Sequence, residues 1–436
     1  PGLPALDALT SLVEKSLLVR TEIRGEARFQ MLETVREMAR ERVVEAGEER
    51  AGRLRLAQWL EGFLAREHQD LLIAGRRQVA EERIAAEMAG APAALRFAAG
   101  PDGDAELAWR LYIRLSFSLL NSARTSEALA MRDIVGGLPP SRDPVRAALA
   151  DGMWGRVLAY TWDDTAEAPL ATAAAALETV GDRDFLPSIL TVRGMIAGPR
   201  DSARAIALLG RAVQLASEAG HTYTEGWARA MIIYTQFMAG AIDEAQRTAD
   251  EAAAIARRQQ NDEGAAFVLI GFALLSLQRN DLPTARSMFA EAAALARSRG
   301  AAWPRCVALS GLSSVTVAAG DHAGARALLE ESLHYSSGAG FIAVDPVCGT
   351  LALALAREGE RERALRVFAA VRAGTENETG INAHLTDPTG ALRQATREAR
   401  RILGDPPPVD PDTLDLDSVL QAALGAPRPG HTMTTA

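Results

Sequence analysis

Five short segments decide how this chain is read: RDSARA at 200–205, GAIDEA at 240–245, NDLPTA at 280–285, GDHAGA at 320–325 and GERERA at 359–364. Each is a break, four residues and an alanine, followed by a long run rich in alanine and leucine. The alanines are Ala205, Ala245, Ala285, Ala325 and Ala364, so the period is 40, 40, 40 and then 39 residues. Self-similarity of that length marks a helical solenoid, whose unit is a helix pair that cannot bury its apolar face alone. The period exceeds the 34 residues of the tetratricopeptide unit, which predicts helices about a turn longer.

Outward from these segments the pattern extends both ways. First helices are expected at about 222–239, 262–279, 302–319 and 342–358, and second helices at about 241–259, 281–299, 321–338 and 360–373. Glycines 220, 300 and 340 fall where a left-handed residue closes a helix. Earlier pairs are 104–122 with 125–136, 143–161 with 164–180, and 184–197 with 202–219. The run AAFVLIGFALLSL at 265–277 is too short to span a bilayer and reads as a buried solenoid helix. The fold class is therefore all-α: a right-handed solenoid of tetratricopeptide-like helix pairs over 101–374.

Residues 1–50 differ. A helical run holds Leu6, Leu9 and Val13 on one face; two β-prone segments surround Arg24-Gly25-Glu26; a second helix carries Val35, Met38, Ala39 and Val43. This is a winged-helix pattern containing a β-hairpin. Its first helix offers Asp7 and Glu14 against Lys15, and no Arg, Asn or Gln to read bases. Residues 51–100 read as a helical linker broken at Gly75, at Gly90-Ala91-Pro92 and at Gly100, with Trp59, Leu60, Phe63 and Leu64 as a core stripe. Residues 375–427 are expected to cap the array, DPDTLDLD at 410–417 serving a helix cap rather than a cation, and 428–436 to be a disordered tail.

Composition narrows the function. With 436 residues, a net charge of -9 and a pI near 5.4, the chain is not suited to broad contact with nucleic acid or an anionic membrane. Two cysteines, Cys306 and Cys348, give no disulfide framework, which fits a reducing cytoplasm. The chain begins at Pro1 inside a patterned segment and is expected to be a piece of a larger protein. The single lysine, Lys15, lies in a helix, so no phosphate-binding P-loop is present. The six histidines, His68, His221, His322, His334, His384 and His431, are dispersed without metal-ligand spacing and read as surface or loop residues. No nucleophile motif stands out. The reading is binding, not catalysis, and no cofactor is expected in this chain.

One candidate binding surface emerges from the repeats. Tyr223, Trp227 and Tyr234 share a helix face, with Arg229 and Glu225 nearby, and Trp303 and Arg305 fall two repeats further on. They are candidates for an aromatic groove for a peptide or small molecule; inter-repeat packing is the other use of such a face.

ALDALTSLVEKSLLVRTEI and ARFQMLETVREMARERV together resemble the winged-helix segment of actinobacterial signal-transduction ATPases of the STAND class, including LuxR-type and AfsR-like transcriptional regulators. AEERIAAEMAGAPAALRFA resembles their helical linker, GDHAGARALLEESLHYSS their repeat sensor, and ALRVFAAVRAG with DLDSVLQAAL their closing helices. The resemblance is specific in the winged helix and generic in the repeats. It implies an upstream nucleotide-binding domain, where ATP or ADP would belong, and an effector domain; neither is in this chain. It further implies that the solenoid receives a small-molecule inducer or a protein or peptide, and that the winged helix relays this, with Met31, Leu32, Glu33 and Arg36 as relay residues. Related proteins carry Met-His-Asp where this chain has Met31-Leu32-Glu33, and leucine cannot donate to a phosphate. The linker also departs from the pattern, with Gly90 in place of asparagine and Pro92 within the helix. The alternative is a constitutive interaction scaffold that switches nothing.

Overall fold

Four of the five repeat breaks turn on one left-handed residue. Gly240, Asn280, Gly320 and Gly359 have φ of 75°, 60°, 82° and 85°, and the repeat alanine five residues later is fully buried each time (Ala245, Ala285, Ala325, Ala364). A side chain larger than a methyl group at these alanines would hold the helices apart. Asp281 and Asp321 cap the following helix by accepting from Thr284 N–H at 3.1 Å and Gly324 N–H at 2.8 Å.

The computed structural model describes residues 5–23, 26–122, 124–160, 163–299, 301–339, 344–371 and 387–404. It opens with helix α1 (Ala5–Glu14), strands β1 (Leu18–Ile23) and β2 (Glu26–Met31), and helix α2 (Glu33–Glu45). The strands form one antiparallel pair in which Leu18 faces Met31 and Ile23 faces Glu26. Next come α3 (Glu49–Leu71), α4 (Arg77–Glu87), a single 3-10 turn at Met88–Gly90, and α5 (Ala91–Ala99). The paired helices are α6 (Ala105–Asn121) with α7 (Thr125–Val135), α8 (Pro144–Tyr160) with α9 (Glu167–Thr179), and α10 (Leu186–Ala197) with α11 (Ser202–Ala219). The regular array is α12 (Thr222–Met238) and α13 (Ile242–Gln259), α14 (Asp262–Gln278) and α15 (Leu282–Ser298), α16 (Ala302–Ala318) and α17 (His322–Ala339), then α18 (Val344–Arg357) and α19 (Arg361–Phe368). Helix α20 (Ala391–Leu403) packs on α18 and α16.

The molecule is thus a helical solenoid with a small two-stranded sheet at its start. Its row of pairs curls back on itself, because α17 touches α7. The apolar run in α14 is core, with Phe267, Ile270, Leu274 and Leu275 at 1% exposure or less. Among the described residues no helix is long and apolar enough to cross a membrane.

Several expectations need correcting. Helix α19 ends at Phe368, five residues short of the expected 373. Gly220 does close α11 in the left-handed region, but Gln260 closes α13 with φ 52°; Gly300 and Gly340 lie outside the described residues, as do DPDTLDLD and DLDSVLQAAL. Pro92 does not interrupt a helix: it stands in the first turn of α5, where no amide hydrogen is needed. Trp59 is 46% exposed although Leu60 and Leu64 are buried. The apolar face of α2 is open, for that helix has no buried residue and Met38 is 63% exposed.

Candidate functional site

Where the linker meets the repeats, a charged side chain is buried. Arg77, at the start of α4, is 2% exposed. Its guanidinium lies over the Tyr223 ring of α12, 3.9 Å from the centroid. Nη2 pairs with Glu81 one turn along α4 at 2.5 Å and also donates to Asn121 O at the end of α6. Nε stands 3.8 Å from Oε2 of Glu263 in α14, itself 2% exposed. One side chain therefore ties the linker to α6, α12 and α14.

The backbone beside it is joined as well. Tyr223 N–H donates to Leu72 O at 3.1 Å, and Ala74 N–H donates to Thr222 Oγ1 at 2.9 Å. Gln69 Nε2 donates to Asp184 Oδ1 at 2.9 Å. The turn that permits this includes Gly75 with φ 82°. The receiving end of α12 is itself held by Asn261, which donates to Thr222 O at 2.9 Å while accepting from Gly264 N–H at 2.7 Å.

Electrostatics follow from burial. Desolvation raises Glu263 to about 7, against the pull of Arg77, and raises Glu81 as well. Burial also raises the Tyr223 phenol. Replacing one member alone would leave the rest desolvated and imperfectly matched.

Further along α3, His68 lies between Phe117 and Phe185, 4.5 Å from each ring centre. It is 3% exposed, and burial lowers it to about 3, so it is neutral. His221 is buried too, and burial lowers its pKa. His68 lies inside α3 and is not the surface or loop residue expected; His221 is in the short loop between α11 and α12, as expected, but is buried there. Both sit where the linker crosses the repeats, so apolar neighbours replace the water that dispersed spacing suggested. The side chains of His322 and His334, and all of His384 and His431, are outside the described residues.

The aromatic face of α12 is packed. Tyr223, Trp227 and Tyr234 share a face as their spacing predicts, but their exposures are 6%, 5% and 1%. Tyr234 OH donates to Phe267 O at 2.9 Å across to α14. Truncating Trp227 or Tyr234 therefore removes core, at about 3–5 kcal/mol. Arg229 pairs with Glu225 within α12, and Gln259 donates to Glu225 at 3.1 Å. Trp303 is half-buried, 5.4 Å from the Phe267 ring, and Arg305 pairs with Glu331 at 2.7 Å. An aromatic line thus runs from Tyr223 through Phe267 to Trp303.

The other named group stays apart from this seat. Met31 ends β2, Leu32 is 53% exposed ahead of α2, and Glu33 pairs with Arg36 on the surface. The sheet reaches the linker through Arg28 in β2, which pairs with Glu87 at the far end of α4.

Sequence reading missed Arg77, Glu81 and Glu263. The repeat register held a signal for the last: stepping by 40 residues gives Tyr223, Glu263 and Trp303, a carboxylate between two aromatics. Nothing in the linker's own pattern marks Arg77, because only the tertiary fold brings it there.

No protein-family model matches the chain, and no curated protein matches it. Among solved structures, it resembles a Rap protein complexed with Competence and Sporulation Factor, at 13% identity over 81% of this chain and 99% of that one, with a TM-score of 0.46. It also resembles a STAND protein with a tetratricopeptide repeat sensor from Pyrococcus horikoshii, at 15% identity over 92% of this chain and 61% of that one, with a TM-score of 0.43. The tetratricopeptide domain of P58(IPK) is similar at 17% identity, over 83% of this chain and 98% of that one, with a TM-score of 0.27. The likeness is of helical-repeat architecture only.

Proposed function

We propose that this chain is the regulatory and sensor region of a STAND-class signal-transduction ATPase acting as a transcriptional regulator. In this reading the solenoid binds an inducer or protein partner, and the linker carries the state of the repeats to the N-terminal helix–hairpin–helix unit and onward to an upstream nucleotide domain. The observation that carries it is the double attachment of α4: Arg77 at one end is seated in the repeats, and Glu87 at the other pairs with Arg28 of the sheet. A shift of α12 relative to α14 must disturb the seat of Arg77 and move α4. A ligand that prefers one arrangement would then be felt at the hairpin. The open apolar side chains Leu32, Met38 and Val44 are a suitable surface for docking the nucleotide domain. Trp303, Arg229 and Arg305 are the partly accessible members of the candidate binding set.

Hydrogen exchange on the full chain tests this reading. Arg77→Met should deprotect the amides of residues 72–76 and of β2 together, by about a hundredfold or more, since breaking a buried pair costs a few kcal/mol. Deprotection at 72–76 with the β2 amides unchanged would mean that α4 relays nothing, and a constitutive scaffold would be the better reading.

A further inference from the structure

Arg156 is a fully buried charge. It lies in α8 at 0% exposure, and none of Nε, Nη1 and Nη2 has a hydrogen-bond partner among the described residues. Arg77 has Glu81 and Glu263 against its charge; Arg156 instead lies over the Phe117 ring, 4.9 Å from its centre.

A guanidinium does not shed its proton in a protein, and holding it out of water without a counter-charge costs several kcal/mol. Among the described residues no carboxylate is paired with Arg156; the other charges that act on His68 are Arg114 and Asp184, the latter accepting from Gln69. The Phe117 ring centre is 4.9 Å from the Arg156 guanidinium and 4.5 Å from the His68 ring, and Phe185 lies against both rings, 5.3 Å from Phe117 and 4.5 Å from His68. His68 is neutral, and its Nε2 is unpartnered among the described residues.

We propose that Arg156, with His68, Phe117 and Phe185, forms a recognition site for a single carboxylate borne on an apolar body. A planar fork of N–H donors matches the two oxygens of a carboxylate. One positive charge calls for one negative charge, so a phosphate dianion would leave a buried excess. Phe117 and Phe185 would flank the apolar body, and His68 Nε2 offers a further polar contact. The site is closed by α3, which carries His68 and leads into α4. Entry of a ligand requires α3 to lift, which loosens the seat of Arg77. The proposal deepens the sensor reading by giving the ligand its chemistry; it rests on that reading for the consequence of binding, not for the binding itself.

The test is thermal melting and calorimetry of the full chain with sodium benzoate, against sodium chloride at equal ionic strength. Acetate tests the apolar body, inorganic phosphate the charge, and N-acetylphenylalanine a peptide C-terminus in place of a free acid. Benzoate or N-acetylphenylalanine should raise the melting midpoint of the wild type, with acetate and phosphate doing less. Arg156→Met should melt higher than the wild type in chloride and bind the effective acid about tenfold or more weakly. Arg156→Lys, which keeps the charge and loses the fork, should also bind it more weakly, so the proposal stays testable if the methionine variant fails to fold. No stabilisation of the wild type beyond chloride, or equal affinity in the Arg156 variants, would overturn the site. Binding that depends on Arg156 but leaves exchange in α4 unchanged would uphold the site and count against the relay.

Discussion

His68 and Glu263 respond to acid in opposite directions, and the sign follows from burial. His68 is held at about 3, below its ordinary 6.5. The unfolded chain takes up a proton that the folded one refuses, so its stabilising contribution is full above 6.5 and is lost as the pH falls toward about 3. Glu263 is raised from 4.5 to about 7, so the folded state keeps a proton that the unfolded state releases. Its contribution is full below 4.5 and is lost as the pH rises through about 7. Two variants separate them. His68→Phe, which keeps an aromatic ring between Phe117 and Phe185, should flatten the decline in stability below pH 6.5. Glu263→Gln, which keeps the shape of the neutral acid, should remove a decline between 4.5 and about 7. Denaturant midpoints measured across pH read both, and unchanged slopes would show that water reaches these groups.

At the scale of the helix, close approach is set by small residues whose neighbours leave no room. A Cβ added to Gly311 in α16 would stand 2.5 Å from Phe289 of α15. Gly311→Ala should cost about 1–3 kcal/mol by overpacking. Gly210, inside α11, has nothing within 4 Å of the same position. Gly210→Ala should stabilise by about 0.5–1 kcal/mol, because alanine gives up less backbone freedom in a helix. Chemical denaturation of the pair checks packing against propensity; a gain at both positions would show that α15 and α16 are looser than their contact distances imply. The helices themselves were legible, since Ala245, Ala285 and Ala325 announce their register. Which helix face was already occupied was not, because Tyr223, Trp227 and Tyr234 have the same spacing whether they line a groove or are covered by the next repeat.

Across the whole molecule, the two attachments of α4 differ in solvent. Arg77 and Glu263 are each 2% exposed, whereas Arg28 and Glu87 keep 31% and 24% of their side chains in water. Salt screens exposed pairs and leaves buried ones largely intact. At high salt the hairpin should therefore loosen from α4 while Tyr223 N–H, bonded to Leu72 O, remains protected from hydrogen exchange. Simultaneous loss of both would show that the linker docks through its exposed charges. The sequence by itself determined the helix-pair array, its 40-residue step and the short hairpin at the start, because these follow from local periodicity and turn chemistry. Only the tertiary structure decided that the linker lies against the repeats with Arg77 seated on Tyr223, and that Arg156 and His68 are buried. Those facts depend on which distant surfaces meet when α3 and α4 lie against α6, α12 and α14, and a period in the sequence carries no record of that meeting.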